Sequence, residues 1–268
     1  MPFPWTRYVA LGDSLTEGLE DARPDGMHRG WADRLAQHLA DASGDTVSYA
    51  NLAIRGRLLG PILSEQVEPA LALQPTLVSL WGGGNDMLRP KADPTAMAAQ
   101  LEDAVARFRA AGADVIVGTS TDPRNAPIIE LTRERCMEYN LAVWALARRH
   151  GAYVLDAFHL LCIQDWRMWF DDRIHMNGLG HERVGLAAAT TLGLTPVDAD
   201  WDAPLPPLPR PKTQERLRSD ATWANEHLRP WLGRRLRRTS SGFGRQPKHP
   251  DYVSVDPQDD GAQVQRAE

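Results

Sequence analysis

The 268-residue chain has only two cysteines, Cys136 and Cys162, and only three lysines, Lys91, Lys212 and Lys248. No apolar run approaches the roughly 18–20 residues that a membrane-spanning helix needs. The opening residues, Met1 to Arg7, lack the apolar stretch of a secretory signal. Two cysteines without an export signal read as reduced thiols, and the expected setting is cytoplasmic. No Gly-x-Ser-x-Gly elbow occurs, which disfavours the larger α/β-hydrolase fold. No P-loop and no Gly-x-Gly-x-x-Gly follows a strand, so a nucleotide fold would lack its phosphate cradle. His175, His181 and Glu182 match no zinc spacing, and neither a metal nor another cofactor is expected.

What is present is ordinary globular material: 43% hydrophobic and 24% charged residues. Over the first 195 residues short apolar runs alternate with amphipathic stretches. Tyr8–Leu11, Thr46–Tyr49, Thr76–Trp81, Asp114–Gly118 and Tyr153–Leu155 read as buried strands. Trp31–Leu39, Leu58–Leu73, Thr95–Ala111, Ile128–His150 and Leu179–Leu192 read as helices, the first with Trp31, Leu35 and Leu39 on one face. Five strands separated by helices imply parallel βαβ units and a flavodoxin-like three-layer α/β/α sandwich with a five-stranded parallel sheet.

Beyond residue 195 the texture changes. Six prolines between Pro196 and Pro211 exclude helix and central strand, so residues 196–212 read as an extended strap. Residues 213–238 read as a basic helical appendage, and residues 239–268, without periodicity, as a disordered tail. Charge is uneven: residues 209–248 carry eleven Arg/Lys against three acids, a net of +8, whereas residues 1–208 carry −9. Arg229 to Arg238, interleaved with Trp231, Leu232 and Leu236, could form an amphipathic helix on anionic lipid. The favoured alternative packs Trp223, Leu228 and Trp231 onto the acidic body. Nucleic acid is not expected as a partner, and membrane-surface contact is not favoured.

Sites in open α/β sheets gather at the carboxyl ends of the strands. The first strand delivers Gly12-Asp13-Ser14-Leu15 there, the second Asn51-Leu52-Ala53-Ile54-Arg55-Gly56, and the third Gly83-Gly84-Asn85-Asp86. Asp172-Arg173-Ile174-His175 precedes the closing helix. Each feature alone has a structural reading: Ser14 or Asn85-Asp86 as helix caps, Gly56 as a turn glycine, Asp172 and His175 as surface groups. At the ends of successive strands they supply what acyl transfer needs: a nucleophile, a base, a group that orients it, and oxyanion donors.

These blocks, in this order, resemble the SGNH subgroup of the GDSL hydrolases, which are flavodoxin-like esterases and lipases. The resemblance rests on Gly12-Asp13-Ser14-Leu15, Gly56, Gly83-Gly84-Asn85-Asp86 and Asp172-Arg173-Ile174-His175, with Gly30-Trp31, Asn177 and Gly180-His181 as further likenesses. It covers roughly residues 6–194 and leaves the tail unexplained. It implies Ser14 as nucleophile, His175 as general base, Asp172 as the residue orienting it, and Ser14, Gly56 and Asn85 as oxyanion donors. The implied substrate is a small-molecule or lipid acyl ester, hydrolysed through an acyl-enzyme. Acyl transfer with the same residues, or a binding protein docking through its basic segment, are the alternatives. Arg55 and Arg57 flank Gly56 either as surface charges or as contacts to an acidic substrate group.

Overall fold

A computed structural model describes residues 3–124, 126, 129–209, 212–230, 233, 241–258 and 264–266. Its central sheet has the order β5-β4-β3-β1-β2-β7. The strands are β1 (Arg7–Gly12), β2 (Val47–Asn51), β3 (Leu77–Trp81), β4 (Asp114–Gly118), β5 (Tyr153–Leu155) and β7 (His249–Val255). The first five are parallel, as the alternation of strand and helix patterns implies. Along β1, Tyr8 and Ala10 face one core while Val9 and Leu11 face the other, the period-two alternation of a strand buried on both sides.

Helices cover both faces. On one side α2 (Gly30–Ser43) packs against α7 (Gly178–Thr191) through Trp31, Leu35, Leu39, Val184 and Ala188. On the other lie α3 (Leu59–Ala72), α5 (Pro94–Ala110) and α6 (Arg133–His150), which contribute Val67, Leu101, Phe108, Val143 and Leu146. Burying a large apolar side chain of this kind stabilises the fold by roughly 1.5–3 kcal/mol. Cys136 and Cys162 are buried and unpaired. Among the described residues no helix is long and apolar enough to cross a membrane.

The sheet differs from the sequence expectation by one strand. The sixth, β7, comes from the tail read as disordered, and runs antiparallel along β2 with Val47 opposite Val255 and Tyr49 opposite Val253. Pro250 and the flanking acids Asp251 and Asp256 hide its signal; proline is tolerated there because β7 is an edge strand. A second tail segment, β8 (Val264–Arg266), pairs with β6 (Leu194–Pro196) and buries Val264. Residues 213–223 form α8 (Thr213–Trp223), which continues into a π turn, Ala224–Leu228. Trp223 packs onto the body at 7% exposure. Trp231, Leu232 and Arg234 to Arg238, and with them most of the stretch weighed as lipid-facing, lie outside the described residues, as does the side chain of Leu228.

The chain passes from β1 to β2 on one side of β1 and on to β3 on the other, so a crevice opens at the carboxyl ends of β1 and β3. Gly12 closes β1 there. A Cβ at this position would stand 2.5 Å from the Trp81 carbonyl oxygen and 2.4 Å from Thr16 Oγ1, so only glycine lets the two strand ends approach.

Candidate active site

Ser14 opens the short helix α1 (Ser14–Glu17) directly after β1, and the carboxylate of Asp13 caps it by accepting from the Leu15 N–H at 3.2 Å. Ser14 is therefore not the cap; its hydroxyl lies 3.0 Å from His175 Nε2. The other imidazole nitrogen, Nδ1, lies 2.6 Å from Asp172 Oδ2. Asp172 Oδ1 accepts from the backbone N–H groups of Ile174 at 2.9 Å and His175 at 3.0 Å. The three-residue spacing thus closes a tight turn in which one carboxylate oxygen fixes the backbone and the other meets the imidazole. Burial alone would raise the Asp172 pKa, but the hydrogen bond from His175, its charge and the two backbone donors hold it below the usual carboxylate range.

Asn177 anchors this turn to α7. Its side-chain oxygen accepts from Leu179 and Gly180 at the helix start, and its amide donates to the carbonyls of Arg167 and Trp169. His181, one turn into α7, is fully buried; its Nε2 donates to the Leu19 carbonyl and its Nδ1 accepts from Trp31 N–H, which fixes a neutral tautomer. Burial pushes its pKa down to about 4. These bonds tie the closing helix to the loop after α1, so Ser14 and His175 are held by one continuous frame.

On the opposite wall, Gly56 sits in a half-buried turn with φ +72°, a conformation that favours glycine. Its neighbours are pinned. Glu17 accepts from the Arg55 N–H at 2.7 Å and binds the Arg55 guanidinium through both carboxylate oxygens. Arg57 pairs with Glu65. Arg55 and Arg57 are thus each engaged in an ion pair with a glutamate of the scaffold. Glu17 carries no signal of this role in the sequence beyond its place three residues after Ser14.

Asn85 lies on α4 (Gly84–Met87) at the end of β3. Its amide donates to Asp13 Oδ2 and to the Arg57 carbonyl, each at 3.0 Å. Both amide hydrogens are taken up in this state, so an oxyanion must share one of them. Asp86, not Asn85, acts as the cap: its Oδ2 accepts from Leu59 N–H at the start of α3. Asp13 is buried, and that burial raises its pKa to about 6 against the hydrogen bonds from Leu15 and Asn85. The structure thus joins Ser14, His175 and Asp172 in one hydrogen-bonded line, while Asn85 is bonded to Asp13, the residue before Ser14, and to the turn that holds Gly56.

A cavity of about 150 Å³ opens beside Ser14, with Leu15, Trp81, Met87, Ile129, Ile163 and Trp166 among its walls. Cys136 also lines it, but burial pushes that thiol up, away from the thiolate a nucleophile needs. No group of His, Cys, Asp and Glu suited to a metal ion occurs among the described residues.

Comparison with known proteins identifies the family. The model of the GDSL-like lipase/acylhydrolase family matches residues 10–183. Similar solved structures include TesA, at 24% identity and a TM-score of 0.56, covering 69% of this chain and 97% of that one. Axe2, an acetylxylan esterase from Geobacillus stearothermophilus, has 19% identity and a TM-score of 0.60, with 72% and 97% covered. The psychrotrophic esterase EstA from Pseudoalteromonas sp. has 20% identity and a TM-score of 0.56, with 70% and 97% covered. No curated protein sequence matches. At these identities the solved structures speak for the fold, and the family match, spanning well over half of the residues, speaks for the chemistry. The chain belongs to the GDSL-like lipase/acylhydrolase family and is a GDSL/SGNH-type ester hydrolase.

Proposed function

We propose that the protein hydrolyses a carboxylic ester through an acyl-enzyme on Ser14. The observation that carries this reading is the unbroken line Asp172–His175–Ser14, with contacts of 2.6 and 3.0 Å. The Ser14 oxygen attacks the acyl carbon while its proton passes to His175 Nε2. Asp172, ionised and hydrogen-bonded, keeps the imidazole in the Nδ1–H tautomer and stabilises the imidazolium. The developing oxyanion is met by the N–H of Ser14, which opens a helix and lacks an intrahelical acceptor, by the N–H of Gly56, and by the Asn85 amide. Collapse expels the alcohol, which takes the proton from His175. Water then attacks the acyl-enzyme along the reverse route and frees Ser14.

The walls of the cavity favour an apolar acyl group, and a void near 150 Å³ holds about six carbons. Acyl nitrophenyl esters from acetyl to palmitoyl test this directly. Turnover is expected to peak near butyryl to hexanoyl and to vanish in Ser14→Ala. A folded protein that cleaves no ester, or one whose Ser14→Ala variant matches it, would refute the proposal.

A further inference from the structure

Helix α8 lies beyond residue 183, where the family match ends, yet its contacts converge on the turn that carries Asp172 and His175. Among its described side chains only Trp223 is buried; Leu217 is 59% exposed. The Trp223 indole N–H donates to the Asp172 carbonyl oxygen at 2.8 Å. On the same helix face, Asp220 pairs with Arg173 Nη1 at 2.7 Å and Ser219 Oγ meets Nη2 at 3.0 Å. The Arg173 guanidinium lies over the Trp223 ring at 5.3 Å and over the Trp166 ring at 5.8 Å. The peptide joining Asp172 to Arg173 is therefore gripped on its carbonyl and on the side chain that follows.

That grip falls on a strained point. Arg173 has φ +57°, a left-handed conformation that a non-glycine residue keeps only when its surroundings enforce it. The turn's own bonds, Phe170 N–H to the His175 carbonyl and Arg173 N–H to the Phe170 carbonyl, bracket this residue without holding its side chain. If the Asp172 peptide rotated, its carboxylate would swing off His175 Nδ1 and off the two backbone donors it accepts. Nothing else among the described residues is bonded to the Arg173 guanidinium.

We infer that α8 is a latch that sets the working geometry of Asp172 and His175, with Trp223 and Asp220 as positioning residues acting through Asp172 and Arg173. This rests on the Ser14–His175–Asp172 reading above. The expected role is in the rate of the chemical step, because small displacements of a general base cost rate steeply.

The test uses the full chain. Trp223→Phe keeps an aromatic face for Arg173 and removes the indole N–H, whereas Asp220→Asn keeps size and removes the charge. Each should lower kcat by ~10–100-fold with KM little changed, and Asp220→Glu should restore part of the loss. In an Asp172→Asn background the same substitutions should cost almost nothing, because the residue they position is already disabled. Loss of thermal stability with kcat intact, or an undiminished penalty in the Asp172→Asn background, overturns the latch. Ser14→Ala, run alongside, separates the two readings: if it stays active the serine mechanism itself falls, and if it is dead while Trp223→Phe and Asp220→Asn are fully active only the latch does.

Discussion

Asp172→Asn keeps the size of the side chain and exchanges one carboxylate oxygen for an amide group. The surrounding turn decides which oxygen is lost. Oδ1 accepts two backbone N–H groups, from Ile174 and His175, so an asparagine must place its carbonyl oxygen there. Its NH₂ then faces His175 Nδ1, where the native carboxylate lies at 2.6 Å. An amide donor at that position favours the opposite tautomer, with the imidazole proton on Nε2. Nε2 would then donate to Ser14 instead of accepting from it, and the serine has no base. The loss should approach ~10⁴ in kcat, as in triads where the orienting aspartate becomes asparagine, which is about 5 kcal/mol of barrier. KM should hold, and the turn should stay folded because Oδ1 keeps its partners. Asp171→Asn is the control: Asp171 is exposed and should lose less than twofold. Steady-state hydrolysis of a short nitrophenyl ester, with circular dichroism on each variant, reads the outcome. Asp172→Asn retaining a tenth of wild-type kcat, or equal losses at both positions, would refute the reasoning.

Two other substitutions probe different parts of the account. Asn85→Ala should lower turnover by ~10²–10³ through loss of an oxyanion donor, while slow fluorophosphonate labelling of Ser14 persists; unchanged turnover would reduce Asn85 to a tie between Asp13 and Arg57. His38 is buried on α2 with neither ring nitrogen bonded among the described residues, and burial holds its pKa at about 4 against an ordinary 6.5. Below pH 6.5 the unfolded chain takes a proton that the folded one refuses, so stability falls as pH drops through 6.5 and levels off below about 4. The loss at pH 5 is about 2 kcal/mol, and His38→Leu should remove it in urea melts at pH 7 and pH 5. His181, held at about 4 by the same cause, leaves a residual slope. An undiminished slope in His38→Leu would show that His38 is not a source of acid lability.

The parts of the site legible in the sequence are those carried by short local segments. Ser14, Gly56 and Asn85 follow segments that read as strands, and Asp172 and His175 lie three residues apart just before the closing helix, so the expectation that they share one sheet edge rests on their order along the chain and on the family resemblance. The parts that stayed hidden depend on distant pairings. β7 joins β2 from some 200 residues further along the chain, and Pro250 with its acidic neighbours masks the alternation that would reveal it. Trp223 and Asp220 look like any residues of a basic helix until the fold brings them against Asp172 and Arg173. The sequence offers Asn85 as a candidate donor, but its engagement with Asp13 and Arg57 is a matter of angles that spacing does not encode. Glu17 likewise shows its hold on Arg55 only in three dimensions.

The central claim is that Ser14 becomes acylated. Incubation with a fluorophosphonate, followed by intact-protein mass and peptide mapping, tests it most directly. The account predicts a single phosphonyl adduct on Ser14, loss of esterase activity in step with labelling, and neither adduct nor turnover in Ser14→Ala. An adduct on another residue with Ser14 unmodified, or ester turnover that survives in folded Ser14→Ala, would contradict it.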